Sequence, residues 1–167
     1  MTLITVFKSE KLINALFLKV AWVACVVGGN VYGLCLVALM LCLSIYQKHF
    51  AADWPYVIGL GIFGLLLDTG WMYFGMLDYG SSAVLTVAGV TLAPLWIVLL
   101  WVAVGLSLNH SLIFFVDRPL IGGLIVGGSA PFSYMAGERF GAVVNAVNLL
   151  KNEKIGQGQE EIDAGNA

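Results

Sequence analysis

The sequence predicts an all-α fold, a polytopic transmembrane helical bundle of about five spans, with four to six as the range. Hydrophobic residues make up 60% of the 167 residues and charged residues only 11%, whereas about a quarter of the residues are charged in ordinary soluble domains. The mean hydropathy is +0.92. The apolar runs are continuous, without the period of two that marks the strands of a transmembrane barrel. We therefore expect one bundle over residues 1–150 and a polar, disordered tail over 151–167.

The first two spans are predicted to form a hairpin. The apolar runs 12–29 and 31–46 are separated by Asn30, the last residue of the Gly28-Gly29-Asn30 segment. The second run is short for a bilayer, which requires about 20 residues, so we expect a tight turn within the interface. Lys19 within the first run and the lack of a clear small-residue cleavage site favour a retained span over a secretory signal.

The third span is predicted over residues 56–77, after a polar loop that ends with Trp54 as an interfacial anchor. Residues 78–94 are rich in glycine, serine and threonine, which favours an outer loop with a partly inserted helix. Residues 94–115 are long enough to form the fourth span.

The last apolar segment, residues 119–150, contains Pro131 near its middle. Proline lacks a backbone N–H and clashes with the preceding helical turn. We therefore expect this segment to be broken near Pro131. A break would bring Tyr134 and Glu138, which share a helix face, towards Asp68, whereas a straight helix would carry Glu138 and Arg139 to the outer interface.

The distribution of basic residues predicts the orientation. If the spans alternate, one side of the membrane receives Lys8, Lys11, Lys48 and Arg118. Loops rich in lysine and arginine stay in the cytoplasm, so we expect a cytoplasmic N-terminus. Five complete spans would place the tail lysines, Lys151 and Lys154, on the outside.

Asp68 is the strongest candidate for a functional residue. A charged group near the centre of a span costs about 2.5–3.5 kcal/mol on insertion scales. The carboxyl group could bind an ion or proton or act as a general acid or base, and equally it could join helices by hydrogen bonding. Gly64, one turn earlier, would admit a close helix. Lys19 is either a solvated anchor or the ion-pair partner of Asp68.

Asn109 and His110 lie towards the cytoplasmic end of the fourth span. A histidine can shuttle protons near neutral pH, but one near a helix end can also be a packing residue. No further histidine or carboxylate completes a metal-ligand pattern, and the three cysteines show no CxxC spacing, so we predict neither a metal site nor a cofactor. The absence of a basic patch argues against nucleic acid as a partner.

Two G-x-x-x-G spacings in the last segment predict close helix contacts, within the chain or between two copies of it. The first consists of Gly123 and Gly127, and the second of Gly137 and Gly141. The apolar runs predict the lipid bilayer as a partner, and the glycine spacings are compatible with a second copy in a homodimer.

Four segments of the sequence resemble a bacterial inner-membrane family that is defined only as a domain of unknown function. They are NALFLKVAWVACVVGG, GLLLDTGW, LWIVLLWVAVGLSLNHSL and APFSYMAGERFGAV. Within them lie the patterns W-x-x-C, L-L-x-D, N-H-S-L and P-x-S-Y-x-A-G. The resemblance implies a multi-pass protein of the bacterial inner membrane and implies no activity.

Three functions remain open from the sequence. The first is binding or transport of a small or lipidic substrate through an intramembrane polar site centred on Asp68. The second is a membrane-embedded enzyme that modifies lipids or isoprenoids, with Asp68, His110 and Glu138 as acid and base groups. The third is an accessory subunit with no site of its own. The sequence contains no nucleophile motif or cofactor fingerprint that decides whether the chain is an enzyme.

Overall fold

The computed structural model describes residues 2–82, 85–113 and 117–145. The described residues form four α-helices joined by short turns and small two-stranded pairings, which confirms the all-α prediction. The helices are α1 (Thr2–Tyr46), α2 (Phe50–Tyr73), α3 (Leu95–Leu108) and α4 (Pro119–Arg139). Three helical stretches are long and apolar enough to cross a membrane: Glu10–Tyr46, Phe50–Tyr73 and Leu120–Arg139. The predicted tail, 151–167, lies outside the described residues.

Helix α1 is folded in two at Gly29, which has φ 64° and ψ −149°. A Cβ atom on Gly33 would lie 3.5 Å from the Cα atom of Cys25, although eight residues of straight helix would separate these positions by about 12 Å. The chain therefore reverses at Gly29, and α1 consists of a first arm (2–28) and a second arm (30–46). The predicted hairpin is confirmed.

Helix α3 occupies the centre of the bundle and packs against α1 and α2. It contributes Trp96, Ile97, Leu99, Ala103 and Leu106 to the apolar core. Helix α3 ends at Leu108, where the backbone N–H groups of His110 and Leu112 both donate to the Ser107 carbonyl. At about 21 Å it is shorter than the predicted span over 94–115, because the chain turns directly after Leu108.

Glycine residues bring α2 and α3 into close contact. A Cβ atom on Gly64 would overlap the indole ring of Trp101, and one on Gly105 would lie 2.8 Å from the Tyr56 carbonyl oxygen. Gly61 faces Val102 in the same interface. The side-chain-free surfaces of both helices thus fit against the partner helix, as in other tightly packed membrane helices.

Two small antiparallel strand pairs lie at the end of the bundle that holds Tyr73 and Leu95. Strands β2 (Thr86–Val87) and β3 (Val90–Thr91) form a hairpin around Ala88 and Gly89, whose φ angles are 51° and 81°. The prediction of a partly inserted helix in 78–94 is wrong for the described residues, where the helical structure is limited to the 3-10 turn Gly80–Ser82. The short strands reflect a segment rich in valine, threonine and glycine, since β-branched residues favour strands and glycine favours turns.

Helix α4 continues through Pro131, so the predicted break is wrong. Membrane helices tolerate a proline where local adjustments satisfy the freed backbone groups. Near its C-terminal end, α4 contacts the first arm. Trp22 Nε1 donates to Ser133 Oγ at 3.1 Å, and the Trp22 ring packs edge-on against Phe140.

The strand after α4 fixes the topology. Strand β4 (Val144–Asn145) pairs with β1 (Leu77–Asp78), which directly follows α2. Helices α2 and α4 therefore end at the same end of the bundle, where the Gly29 turn also lies because the chain reverses direction at each connection. We call this the turn end, and the end that holds Glu10, Lys48 and Arg118 the basic end. In the described ranges, five helical segments run between the two ends: the two arms and three further helices.

Candidate functional site

Asp68 is completely buried, with 0% of its surface exposed, and accepts hydrogen bonds from three side chains. Its Oδ1 atom accepts from the Tyr79 hydroxyl at 2.6 Å and from the Tyr134 hydroxyl at 2.7 Å. Its Oδ2 atom accepts from Trp101 Nε1 at 2.8 Å. These donors lie in the loop after α2, in α4 and in α3. One carboxylate thus links four parts of the fold at the turn end.

Neighbouring residues hold the donors in position. Gly64 leaves the space that the Trp101 ring occupies, and Tyr79 packs edge-on against Trp96 with ring centroids 5.6 Å apart. Burial raises the pKa of the Tyr79 hydroxyl far above its usual value, and the negative charge of Asp68 raises it further. The Tyr79 hydroxyl therefore remains protonated and continues to donate to the carboxylate.

The position of Asp68 differs from the prediction in one respect, and the exposure of Lys19 agrees with one of the two alternatives for that residue. Because α2 begins at Phe50 and ends at Tyr73, Asp68 lies about 7 Å from the end of the helix rather than at its centre. Lys19 is exposed on the first arm, and the described residues include no ion pair between it and Asp68. The donors to Asp68 are neutral aromatic side chains instead.

A second buried carboxylate, Asp53, lies at the basic end. It is also 0% exposed. The Ser44 hydroxyl donates to its Oδ2 atom at 2.6 Å, and Asn109 Nδ2 donates to its Oδ1 atom at 3.0 Å. His110 Nε2 lies 3.1 Å from Oδ2. The second arm, α2 and the turn after α3 therefore meet at this carboxylate.

The start of helix α2 and the side chains around it surround the buried Asp53. Asp53 lies in the first turn of α2, where the helix dipole favours negative charge. His49, the residue before the helix, stacks on His110 with ring centroids 4.9 Å apart and an interplanar angle of 30°. Asn109 Nδ2 also donates to the Ala52 carbonyl at 2.9 Å. His49 Nδ1 is buried and, within the described part of the chain, has no hydrogen-bond partner.

A cleft of about 60 Å³ adjoins this group at the basic end. Since a single water needs about 10–15 Å³ of such space, the cleft has room for a small polar group. His110 lines the cleft and also bonds to Asp53, so it connects the buried acid with the open space. The lining consists of Glu10, Ile13, Asn14, Phe17, Met40, Leu43, Ser44, Gln47, Leu106 and His110.

The arrangement around Asp53 is a carboxylate–histidine pair. When His110 Nε2 donates to Asp53, its Nδ1 atom is left as an acceptor, and the carboxylate fixes this tautomer and the ring orientation. Ser44 and His110 bond to the same carboxylate oxygen, so His110 does not activate Ser44 as a nucleophile. In the ranges that the structure describes, no group of three His, Cys, Asp or Glu side chains could hold a metal ion.

The polar candidates from the sequence separate into two sites. Asn109 and His110 gather around Asp53, and Tyr134 joins Asp68. Arg139 is exposed and Glu138 half-buried, both at the turn end, as expected for a straight helix.

The glycine candidates also differ in their surroundings. Gly64 packs against Trp101, and a Cβ atom on Gly137 would lie 3.3 Å from Val143. A Cβ atom on Gly123, Gly127 or Gly141 would meet no described atom within 4 Å. In the described structure, therefore, neither G-x-x-x-G pair packs α4 against another helix with both of its glycines.

Sequence reasoning missed Asp53, His49 and Ser44. The third span was predicted to begin at residue 56, which assigned Asp53 and His49 to a solvated loop. An acidic residue in the first turn is a signal of a helix start. That signal would have moved the beginning of the helix back to Phe50 and placed Asp53 inside it.

Comparison with other proteins identifies a family and no closer relative of established activity. No curated protein matches the chain, and no solved structure does. A family model matches residues 11–151, which is most of the chain and includes both carboxylate sites. The chain belongs to the family described as Protein of unknown function (DUF2878).

Proposed function

We propose that this membrane protein binds the polar group of a small or lipidic molecule in the cleft beside His110. The observation that carries the proposal is the position of His110 between the cleft and the buried carboxylate of Asp53. A cavity with mixed apolar and polar walls next to an oriented histidine has the features of a ligand site. The proposal moves the centre of the site from Asp68 to Asp53 and His110.

Asp68 is a weaker centre for a ligand because neither Asp68 nor its donors line the cleft. Its three aromatic donors are all absent from the cleft lining, whereas Ser44 and His110, which bond to Asp53, belong to it. The glycine-packed contact between α2 and α3, at Gly61, Gly64 and Gly105, lies between the two carboxylates. Movement of a substrate between them would require these helices to separate, so the geometry supports binding more directly than transport.

Catalysis on a lipidic substrate is the second candidate, and the Asp53–His110 pair favours it. A histidine oriented by a carboxylate can act as a general base. Turnover of a bound molecule, detected as a product by mass spectrometry and lost in His110→Gln, would establish this activity. Unchanged recovery of the bound molecule would establish a binding protein.

We further propose that the basic end faces the cytoplasm of a bacterial cell. Lys11, Lys48 and Arg118 lie at this end, in agreement with the rule that cytoplasmic loops are enriched in basic residues. The cleft would then be reached from the cytoplasmic side of the inner membrane.

The binding proposal can be tested with a substitution that fills the cleft. Ile13 lines the cleft and is 52% exposed, whereas Ile45 is 54% exposed and is absent from the lining. Ile13→Trp narrows the cleft without removing a hydrogen bond, and Ile45→Trp is the matched control. Calorimetry of the purified protein in lipid nanodiscs would use butylammonium, butyrate and butanol, which share a chain length and differ in charge.

We expect at least one of these probes to bind the wild type and Ile45→Trp equally and Ile13→Trp at least tenfold more weakly, a change of about 1.4 kcal/mol. The proposal is overturned if Ile13→Trp binds all three probes as the wild type does.

A further inference from the structure

We propose that the group bound in the cleft is a cationic amine, held by the carboxylate of Glu10 and by neutral acceptor atoms of the cleft wall. This inference rests on the proposed function, since it specifies the ligand of the same cleft. It concerns residues of the first arm and the second arm that no sequence pattern singled out.

The charge of the cleft wall favours a cation. Glu10 lines the cleft, and in the described structure no ion pair engages it. Among the lining residues that the structure describes, none is a lysine or an arginine. The basic side chain in the described lining, His110, is paired with Asp53, so Glu10 is the carboxylate that a ligand meets, and an anion there would be repelled.

The hydrogen-bond donors of the cleft wall are mostly engaged elsewhere. The Ser44 hydroxyl donates to Asp53, and Asn14 Nδ2 lies 3.4 Å from the Leu106 carbonyl oxygen. His110 Nε2 is directed at Asp53. When His110 Nε2 donates to Asp53, its Nδ1 atom and the Ser44 oxygen remain able to accept, so the cleft wall offers acceptors to a ligand rich in donors, such as an ammonium group.

The dimensions and apolar walls specify the rest of the ligand. A volume of about 60 Å³ admits a small head group and no large one. Ile13, at 52% exposure, and the neighbouring Leu43 and Phe17 provide an apolar path from the cleft to the lipid-facing surface of the arms. An alkyl chain attached to the ammonium group could follow this path, so a primary amine with an aliphatic chain fits the site.

The same three probes test the inference, together with a substitution that removes the charge of Glu10. Glu10→Gln keeps the shape of the side chain, and because Glu10 is exposed, the substitution is compatible with folding. Asp117→Asn is the matched control, since Asp117 is an exposed acid at the basic end that does not line the cleft. Equal unfolding temperatures of the variants would establish that the fold is retained.

We expect butylammonium to bind the wild type and Asp117→Asn equally, and to bind Glu10→Gln about tenfold more weakly, as for loss of a charge-assisted hydrogen bond. Butanol should bind more weakly than butylammonium and be insensitive to Glu10→Gln. If butyrate or butanol binds in an Ile13-dependent manner and butylammonium does not, the inference is overturned while the proposed function stands. If all three probes bind Ile13→Trp as well as the wild type, both are overturned.

Discussion

Asp53 and Asp68 lie on the same helix about 22 Å apart, and both are completely buried. Each accepts hydrogen bonds from side chains of at least two other parts of the fold. Asp53 adjoins the cleft through His110, whereas Asp68 is enclosed by aromatic donors. Two chemically similar residues thus perform different tasks, and substitutions at one should leave the other unaffected because distant sites act independently.

Asp68→Asn should lower stability and leave ligand binding in the cleft unchanged. An amide offers one acceptor oxygen in place of two, so at least one of the three donors loses its partner. We expect a loss of about 1–3 kcal/mol in the free energy of unfolding, measured by denaturant titration in detergent. Asp117→Asn, at an exposed acid, is the control. Loss of binding with unchanged stability would return Asp68 to the centre of the site.

Tyr79→Phe and Tyr134→Phe should show energetic coupling. Both hydroxyls donate to the same Oδ1 atom, so either single substitution leaves that atom one donor. We expect each to cost about 0.5–1.5 kcal/mol, and the double variant to exceed the sum by at least about 0.5 kcal/mol. Strict additivity in a double-mutant cycle of unfolding free energies would argue against a shared acceptor.

Gly64→Ala should destabilise the bundle, and Gly59→Ala should not. A Cβ atom on Gly64 overlaps the Trp101 ring and would displace it from Asp68, whereas one on Gly59 in the same helix meets nothing within 4 Å. Overpacking of this kind costs about 1–3 kcal/mol. Thermal unfolding in the same detergent would compare the two variants, and equal midpoints would contradict the close contact between α2 and α3.

The stability of the protein should fall above about pH 10, partly because of Tyr79. Burial raises the pKa of Tyr79 in the folded state, while an unfolded chain releases the tyrosine proton near pH 10. The folded state therefore holds this proton more tightly, and its contribution to stability, complete below pH 10, declines by about 1.4 kcal/mol per pH unit above it. Tyr79→Phe should show a shallower decline, whereas Tyr73→Phe, at an exposed ring, should follow the wild type.

Reporters at the two ends of the bundle should report opposite sides of the membrane. The turn at Lys48 lies at the basic end, and Asn145 lies in β4, which pairs with β1 at the turn end. A reporter inserted at residue 48 should therefore share its side with an N-terminal fusion and differ from one joined after residue 145. Detection of the reporters at residue 48 and after residue 145 on the same side would contradict a bundle of five membrane-crossing segments.

Much of the fold could be predicted from hydropathy, but the polar sites could not. The apolar runs and Gly28-Gly29-Asn30 were sufficient to predict the hairpin, since a turn between two apolar runs has few alternatives. Pro131 misled the prediction because membrane helices tolerate proline. Asp68 was recognised as a residue of interest, while its donor Tyr79 lies in a loop whose path depends on tertiary contacts. Asp53 was missed because the span was predicted to begin after it, and because two of its three side-chain partners, Asn109 and His110, lie more than 50 positions away.

The turn at Gly29 also bears on how the chain enters a bilayer. Between the two arms there is no hydrophilic loop, and Asn30 is the polar side chain at the bend. Transfer of a hairpin across a membrane is opposed chiefly by the polar groups that must cross with it. The two arms can therefore insert together as one unit from the side on which they are synthesised, before α2 and α3 arrive to bury their inner faces.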